Sequence, residues 1–350
     1  MENKLVSLLK GGAITLPQKE IGLFTGKMGI CLALYITNKD ANDKETSDLA
    51  DKMLNEIIND LPTETRLTFD NGLIGIGLAI NFLITHGFVE GCADDVLYNI
   101  DAALYKELKD HRIKHGVDCG TGLIGFLIYI VNRLQNHKQK CNATLYELNS
   151  ASLRAIINSL DEAMPATFSY LSKDLYTSIL WNYPLLFIYL KKALALDIYN
   201  DKIINTLKVW TFYINAYSPI YNTNKLYLAV SLAYLNKVMK SPNIEKQIKN
   251  LLFAIDLEEL YHEIDPKIMD INEGWFFIAM VLKAAEEIFQ ETIYKEPFKN
   301  LRIKIQENYT QLYEDFIEKR KNKKGSLDPT LIHGIAGIEI IESLRFHLFE

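Results

Sequence analysis

The sequence predicts an all-α fold, an α/α toroid of about seven helical hairpins. A Gly-x-x-Gly pattern followed by an apolar stretch occurs four times, beginning at Gly26, Gly72, Gly122 and Gly334. Their spacing fits a repeat of about 50 residues, and repeats of that length indicate stacked supersecondary units. No segment shows the apolar–polar alternation that is typical of a half-buried strand.

Three weaker copies are predicted between the third and the fourth pattern. They begin near Ser178, Asn224 and Gly274, and each precedes an apolar run. The seven starts divide the chain fairly evenly. Polar faces that would cap the ends of an open solenoid are not apparent, which favours a closed ring. We therefore predict a single toroid domain over residues 1–350.

Each repeat is predicted to contain two helices. The first is apolar nearly all round, as in residues 30–36, so it is expected to be buried on most sides. The second is amphipathic, as in the stripe that runs from Val96 through Ile100 and Leu104 to Leu108. One buried and one half-buried helix per repeat predicts two concentric layers.

The residue before the first glycine of each pattern is predicted to be a helix N-cap. Thr25, Asn71 and Thr121 have side chains suited to that role. His333 takes the same position in the last repeat. If the buried helices run the same way, their N-termini meet at one end, and the His333 ring is expected to project into a shared central cavity.

The same reasoning predicts that the residues just before each pattern line this cavity. The candidates are Asp70, Asp118, Cys119, Asn272 and Glu273. Each also has a structural interpretation, because carboxylates often cap helices or close turns and small thiols are often buried. A hydrogen-bonded structural role is equally open for His333. The pattern alone does not decide between these roles.

Composition excludes several classes of function. Hydrophobic residues make up 49% of the chain and the net charge is -6, which argues against a nucleic-acid surface. No apolar run is long enough to span a bilayer, so we expect a cytoplasmic protein without a transmembrane segment. The four cysteines form no C-x-x-C pair, so neither a disulfide framework nor a zinc finger is indicated.

The repeats resemble the lanthionine synthetase C family, including its LanC-like relatives. His333-Gly334-Ile335-Ala336-Gly337 is similar to the C-H-G-x-x-G segment of that family, and residues 118–122 are similar to its D-x-x-x-G segment. The resemblance implies a toroid with a catalytic zinc held by two cysteines and one histidine. The zinc would activate a substrate thiol for addition to a dehydrated residue, which forms a thioether ring.

Only part of this catalytic set is present in the sequence. Asp118 and His333 match catalytic positions, and His333 matches the zinc histidine. Ile332 and Asn272 stand where the two cysteine ligands are expected, and Thr177 stands where the acid/base histidine is expected. Because one imidazole cannot hold a zinc ion that needs three protein ligands, we expect no cofactor.

A zinc site rebuilt from other donors remains an alternative. Its ligands would come from His333, Cys119, Asp118, Asp70 or Glu273.

These observations predict a LanC-like protein of a ribosomal peptide modification pathway. It would bind a precursor peptide, a peptide-modifying enzyme or a transporter, without zinc-dependent cyclisation. The alternatives are a divergent cyclase with a rebuilt metal site, and a metal-free hydrolase that uses Asp70, Asp118 and Glu273 as acid and base. A scaffold whose centre is filled by large side chains is a further alternative.

Overall fold

The fold consists of α-helices. The computed structural model describes residues 4–39, 41–61, 65–110, 115–137, 142–168, 178–215, 218–265, 267–320 and 323–344. These residues form fifteen helices and no strand, and they contain one isolated bridge, between Ile14 and Leu327. The all-α prediction is confirmed. The helices are α1 (Lys4–Lys10), α2 (Lys27–Asn38), α3 (Lys44–Asn59), α4 (Leu73–Thr85), α5 (Ala93–Lys109), α6 (Leu123–His137), α7 (Ala143–Phe168), α8 (Asn182–Leu194), α9 (Asn200–Asn215), α10 (Asn222–Met239), α11 (Pro242–Phe253), α12 (Leu257–His262), α13 (Trp275–Ile288), α14 (Thr292–Arg320) and α15 (Ile335–Ser343).

The chain divides into two compact units. The terminal unit comprises Met1–Thr65 and Leu257–Glu350, and the central unit comprises Arg66–Asp256. The assignment of residues 1–350 to one domain stays a prediction. None of the helices in the described residues is long and apolar enough to cross a membrane.

Within each unit, strongly buried helices alternate with amphipathic ones. The buried set, called the core helices here, comprises α2, α4, α6, α8, α10, α13 and α15. Core helix α13 shows their character, because eleven of its 14 residues are buried. In the central unit α4 packs on α6, α6 on α8 and α8 on α10, and flanking helices α5, α7, α9 and α11 pack beside them. In the terminal unit α2 packs on α15, and α13 on α14. Seven core helices in the described residues agree with the seven predicted repeats.

The predicted N-caps are wrong by one position. The N-caps of α2 and α4 are Gly26 and Gly72, both with extended backbone, and α6 begins at Leu123. Thr25, Asn71 and Thr121 therefore lie one residue outside their helices. His333 likewise precedes the N-cap of α15, which is Gly334. The physical reason lies in a loop that recurs before these helices.

This recurring loop is closed by one backbone hydrogen bond. The N–H after the first glycine donates to the carbonyl seven residues earlier, as from Leu73 to Arg66 at 2.9 Å. The fold brings that carbonyl so close that a Cβ on Gly72 would lie 2.3 Å from it. Glycine at the N-cap is therefore a requirement of this close approach. In the described residues the bond joins Lys27 to Glu20, Leu73 to Arg66, Leu123 to Gly116, Trp275 to Ile268 and Ile335 to Asp328.

The second glycine of the pattern contacts the loop of the preceding repeat. A Cβ on Gly125 would lie 2.5 Å from the Cβ of Phe69, which belongs to the second repeat. A Cβ on Gly29 would lie 2.6 Å from the Cβ of Leu331, which belongs to the last repeat. The first and last repeats thus meet as consecutive repeats do.

Backbone hydrogen bonds join the loops of the last and first repeats in the same way as those of the second and third. The N–H groups of Phe69 and Asp70 both donate to the carbonyl of Gly120, at 2.8 and 3.0 Å. Those of Leu331 and Ile332 both donate to the carbonyl of Phe24, at 3.1 and 3.2 Å. The last repeat therefore docks on the first within the terminal unit as consecutive repeats of the central unit dock on each other.

The middle repeats begin close to their predicted positions but without the glycine. The N-cap of α8 is Trp181 and that of α10 is Tyr221, whereas Ser178 and Asn224 were the predicted starts. The structure places the repeats correctly and moves both starts by a few residues.

The buried stripe of α5 differs from the predicted one. Val96 is 50% exposed, and the buried side chains are those of Asp94, Leu97, Asp101 and Leu104. Two carboxylates therefore lie on the face that packs inward, and a buried cation explains why.

That cation is the guanidinium of Arg133 on α6, which is fully buried. It donates to Oδ2 of Asp101 from Nε at 3.0 Å and from Nη2 at 2.7 Å, and to Oδ1 of Asp94 from Nη2 at 3.2 Å. The hydroxyl of Tyr129 donates to Oδ1 of Asp101 at 2.6 Å. Charged groups of opposite sign thus compensate each other inside the central unit.

Candidate functional site

In the central unit, the carboxylates of Asp70 and Asp118 hold the recurring loop. Oδ1 of Asp118 accepts the N–H of Thr121 at 2.6 Å, and the Thr121 hydroxyl lies 3.1 Å from both oxygens of Asp118. Oδ1 of Asp70 accepts the N–H of Asn71 and the hydroxyl of Thr68, both at 2.6 Å. The structural role considered for these carboxylates is therefore present.

The fold brings Asp70 and Asp118 together around Gly120. Oδ2 of Asp70 and Oδ1 of Asp118 each lie 3.6 Å from the point that a Cβ on Gly120 would occupy. Both carboxylates are half-buried. Two acidic groups from consecutive repeats thus border one glycine, and their place in a central cavity stays a prediction.

Cys119, between these carboxylates, is a buried thiol. Its exposed fraction is 2%, and its backbone N–H donates to Oδ1 of Asn182 at 3.1 Å. Burial, together with the negative charges of Asp118 and Asp70, raises the pKa of the thiol to about 12. Cys119 is therefore protonated near neutral pH in the metal-free protein, and a thiol in that state is a weak nucleophile.

In the terminal unit, His333 is paired with Asp270. Nδ1 of His333 lies 3.2 Å from Oδ2 of Asp270. The other carboxylate oxygen, Oδ1, accepts the N–H groups of Asn272 and Glu273 at 2.9 and 3.0 Å. The loop thus fixes the carboxylate, and the carboxylate orients the imidazole.

Sequence reasoning missed Asp270, although a signal was present. Asp270 precedes Gly274 by the same interval that separates Asp118 from Gly122. Both aspartates therefore occupy the same position of the recurring loop. The D-x-x-x-G pattern, applied to the sixth repeat as well as the third, would have identified it.

His333 and Asp270 line a cavity of about 350 Å³ at the start of α15. Its wall also includes Lys267, Asp328 and the apolar side chain of Ile338. The His333 side chain is 47% exposed and that of Asp270 is 12% exposed. The cavity therefore presents one imidazole, two carboxylates and one ammonium group beside an apolar surface.

The remaining predicted residues divide between the two units. Asn272 and Glu273 lie in the Asp270 loop, where their N–H groups hold the carboxylate. Thr177 lies outside the described residues. The candidates of the central unit are Asp70, Asp118 and Cys119, and those of the terminal unit are Asn272, Glu273 and His333.

Comparison with known families agrees with this architecture. A family model described as lanthionine synthetase C-like protein matches residues 17–177. Over these residues the chain is similar to the lanthionine synthetase C-like family. The match includes the first three repeats, and with them the loops of Asp70 and Asp118. The helices of the described residues, without any strand, are consistent with the all-α fold of that family. No curated protein matches the chain.

The residues present do not fit the zinc site of LanC-like cyclases. Ile332 stands at one cysteine position and is a buried apolar side chain, 5% exposed. Asn272 stands at the other, and an amide is a poor ligand for zinc. Among the described residues, no group of three His, Cys, Asp or Glu side chains is placed to hold a metal ion. We therefore derive no chemical step through zinc.

Proposed function

We propose that this LanC-like protein binds a precursor peptide of a ribosomal peptide modification pathway without catalysing zinc-dependent thioether formation. The observation that carries the proposal is the site at His333. The loops that build it have the geometry of the other repeats, whereas Ile332 and Asn272 replace the thiolates that a zinc ion would need. The loops that build the site are therefore present, and the cysteine ligands for zinc are not.

The cavity at His333 is suited to a peptide. It combines an apolar wall at Ile338 with the charged groups of Lys267, Asp270, Asp328 and His333. Peptide sites commonly pair an apolar surface with a few polar groups that orient the chain. Asp270 supports this role by orienting the His333 ring, whose Nε2 then faces a ligand as donor or acceptor.

The test begins with a search of the neighbouring genes for a short Ser/Thr/Cys-rich peptide, whose dehydrated form is then the ligand. Elemental analysis gives the zinc content of the purified protein. Fluorescence anisotropy gives the affinity for the labelled peptide, and mass spectrometry after thiol alkylation reports any ring. We expect binding, no stoichiometric zinc and no loss of free thiol.

Two variants locate the binding site. His333→Ala and Asp270→Asn are each expected to weaken binding by roughly tenfold, because each removes a charged or directional contact of about 1.4 kcal/mol. Glu258→Gln, an exposed change on α12 of the same unit, is the control. Bound zinc together with ring formation would replace the proposal by an active cyclase. Binding that is equal in all variants would reject His333 as part of the site.

A further inference from the structure

Three lysines converge at the C-terminal ends of α8 and α10 in the central unit. Nζ of Lys191 lies 5.2 Å from the centroid of the Tyr234 ring, and Nζ of Lys237 lies 5.1 Å from the same centroid. The ring of Tyr234 thus contacts two ammonium groups, one from α8 and one from α10. Cation–π contact stabilises each of them but does not neutralise either charge.

The third lysine is Lys192, next along α8. Its Nζ lies 4.9 Å from the ring centroid of Tyr189. The hydroxyl of Tyr189 accepts a hydrogen bond from Nδ2 of Asn132 on α6, at 3.5 Å. Lys192 and Tyr189 are half-buried, and the Tyr189 hydroxyl joins this part of the cluster to α6.

No carboxylate of the described residues forms an ion pair with Lys191, Lys192 or Lys237. Burial lowers the pKa of Lys191, and the charge of Lys237 lowers it further. Burial also lowers the pKa of Lys192, with a second contribution from Lys191. The cluster therefore carries repulsion that no carboxylate of the described residues relieves through an ion pair, although the chain as a whole has a net charge of -6.

Helix ends alone do not explain the cluster. A lysine in the last turn interacts favourably with the helix dipole, but that effect does not require three of them around two rings. Some lysines of the described helices do have carboxylate partners: Lys249 lies 2.9 Å from Glu245, and Lys283 lies 2.9 Å from Glu287. In this cluster three neighbouring lysines share two aromatic rings, and none of them has a carboxylate partner among the described residues.

We propose that Lys191, Lys192 and Lys237, with Tyr189 and Tyr234, form a binding site for the carboxylates of an acidic peptide segment. The ammonium groups are distributed over two rings, which suits side-chain carboxylates spaced along a chain. A phosphate is favoured by helix N-termini or by the paired donors of arginine. This cluster has neither, because it lies where helices end. The site is separate from the cavity at His333 in residues and in structural unit.

The experiment measures binding of a fluorescein-labelled hexaglutamate peptide to the full-length protein by anisotropy at low ionic strength. Hexaglutamine with the same label is the uncharged control, and inorganic pyrophosphate is the competing anion. The test variants are Lys191→Gln/Lys237→Gln and Lys192→Gln. The matched control is Lys249→Gln, a lysine of the same unit that pairs with Glu245. Circular dichroism checks that every variant keeps its helical content.

We expect hexaglutamate to bind and hexaglutamine not to bind. The double variant should weaken binding at least tenfold, since each lost charge-assisted contact contributes on the order of that factor. Lys249→Gln should leave the affinity unchanged. Equal affinity in all variants, or no binding by the unmodified protein, overturns the proposal. Lysine-dependent binding of pyrophosphate without binding of hexaglutamate also overturns it, in favour of a phosphate ligand. None of these outcomes depends on the precursor peptide of the proposed function.

Discussion

Leu331, near the end of the chain, packs directly on the backbone of Gly29, near its beginning. The Cβ of Leu331 lies 2.6 Å from the point that a Cβ on Gly29 would occupy, and the carbonyl oxygen of Leu23 lies 2.3 Å from it. The second glycine of the pattern is therefore a docking position for the loop of the preceding repeat. Here that preceding repeat is the last one in the sequence.

The change Gly29→Ala is expected to destabilise the protein by about 1–3 kcal/mol, the usual cost of overpacking a close contact. The neighbouring atoms include backbone, which cannot move aside cheaply. The free energy of unfolding in urea measures this effect. Gly120→Ala is the control, because its nearest neighbours lie at an ordinary 3.6 Å. Equal stability of the two variants would mean that the Leu331 loop does not hold the first repeat.

The change Asp101→Asn is expected to lower the free energy of unfolding by about 3–5 kcal/mol, because the buried Arg133 loses its principal counter-charge. Asp94→Asn is the matched comparison on the same helix. It should cost about 1–2 kcal/mol, since it removes one hydrogen bond at 3.2 Å and leaves the Asp101 pair intact. Equal effects would show that the charge of Arg133 is shared evenly between the two carboxylates.

Helix α5 shows why sequence predicted the element but not its buried face. Its length and period were evident, and Leu104 is buried as predicted. The burial of Asp94 and Asp101 was not predicted, and carboxylates are rarely buried unless they are paired. Their partner, Arg133, lies on another helix, and a single sequence does not reveal that pairing.

The candidate site also combines features that the sequence predicted with features that it did not. The glycines and His333 were visible as a repeated local pattern, and the structure places Asp70 beside Asp118 as their equivalent positions suggested. The caps were predicted one residue too far from the helix, because the loop closes by a backbone bond that leaves no room for a side chain at the first glycine. The pairing of His333 with Asp270 joins two loops that are distant in sequence, and only the fold brings them together.

The buried thiols of Cys31 and Cys119 are expected to resist alkylation in the folded protein. Burial raises the pKa of each to about 12, so the reactive thiolate is scarce at pH 8. In a variant with Cys92→Ser and Cys141→Ser, only these two thiols remain. Ellman's reagent should label almost none of them before urea is added and both of them afterwards. Fast labelling in the native state would reveal an accessible thiolate and would revive Cys119 as a metal ligand.

The contact between Asp270 and His333 predicts the tautomer of the imidazole. A carboxylate accepts but does not donate, so the neutral ring should carry its proton on Nδ1 and direct it at Oδ2 of Asp270. Two-bond ¹H–¹⁵N spectra distinguish the two ring nitrogens. Asp270→Asn should return His333 to the Nε2-protonated tautomer that is common in solvent, with no change in overall helical content. His86, whose Nδ1 contacts the carbonyl of Phe82 at 2.9 Å, serves as the internal control and should not change. A His333 signal that is identical in both proteins would show that Asp270 does not orient the ring, and the peptide-binding role assigned to Asp270 would fall with it.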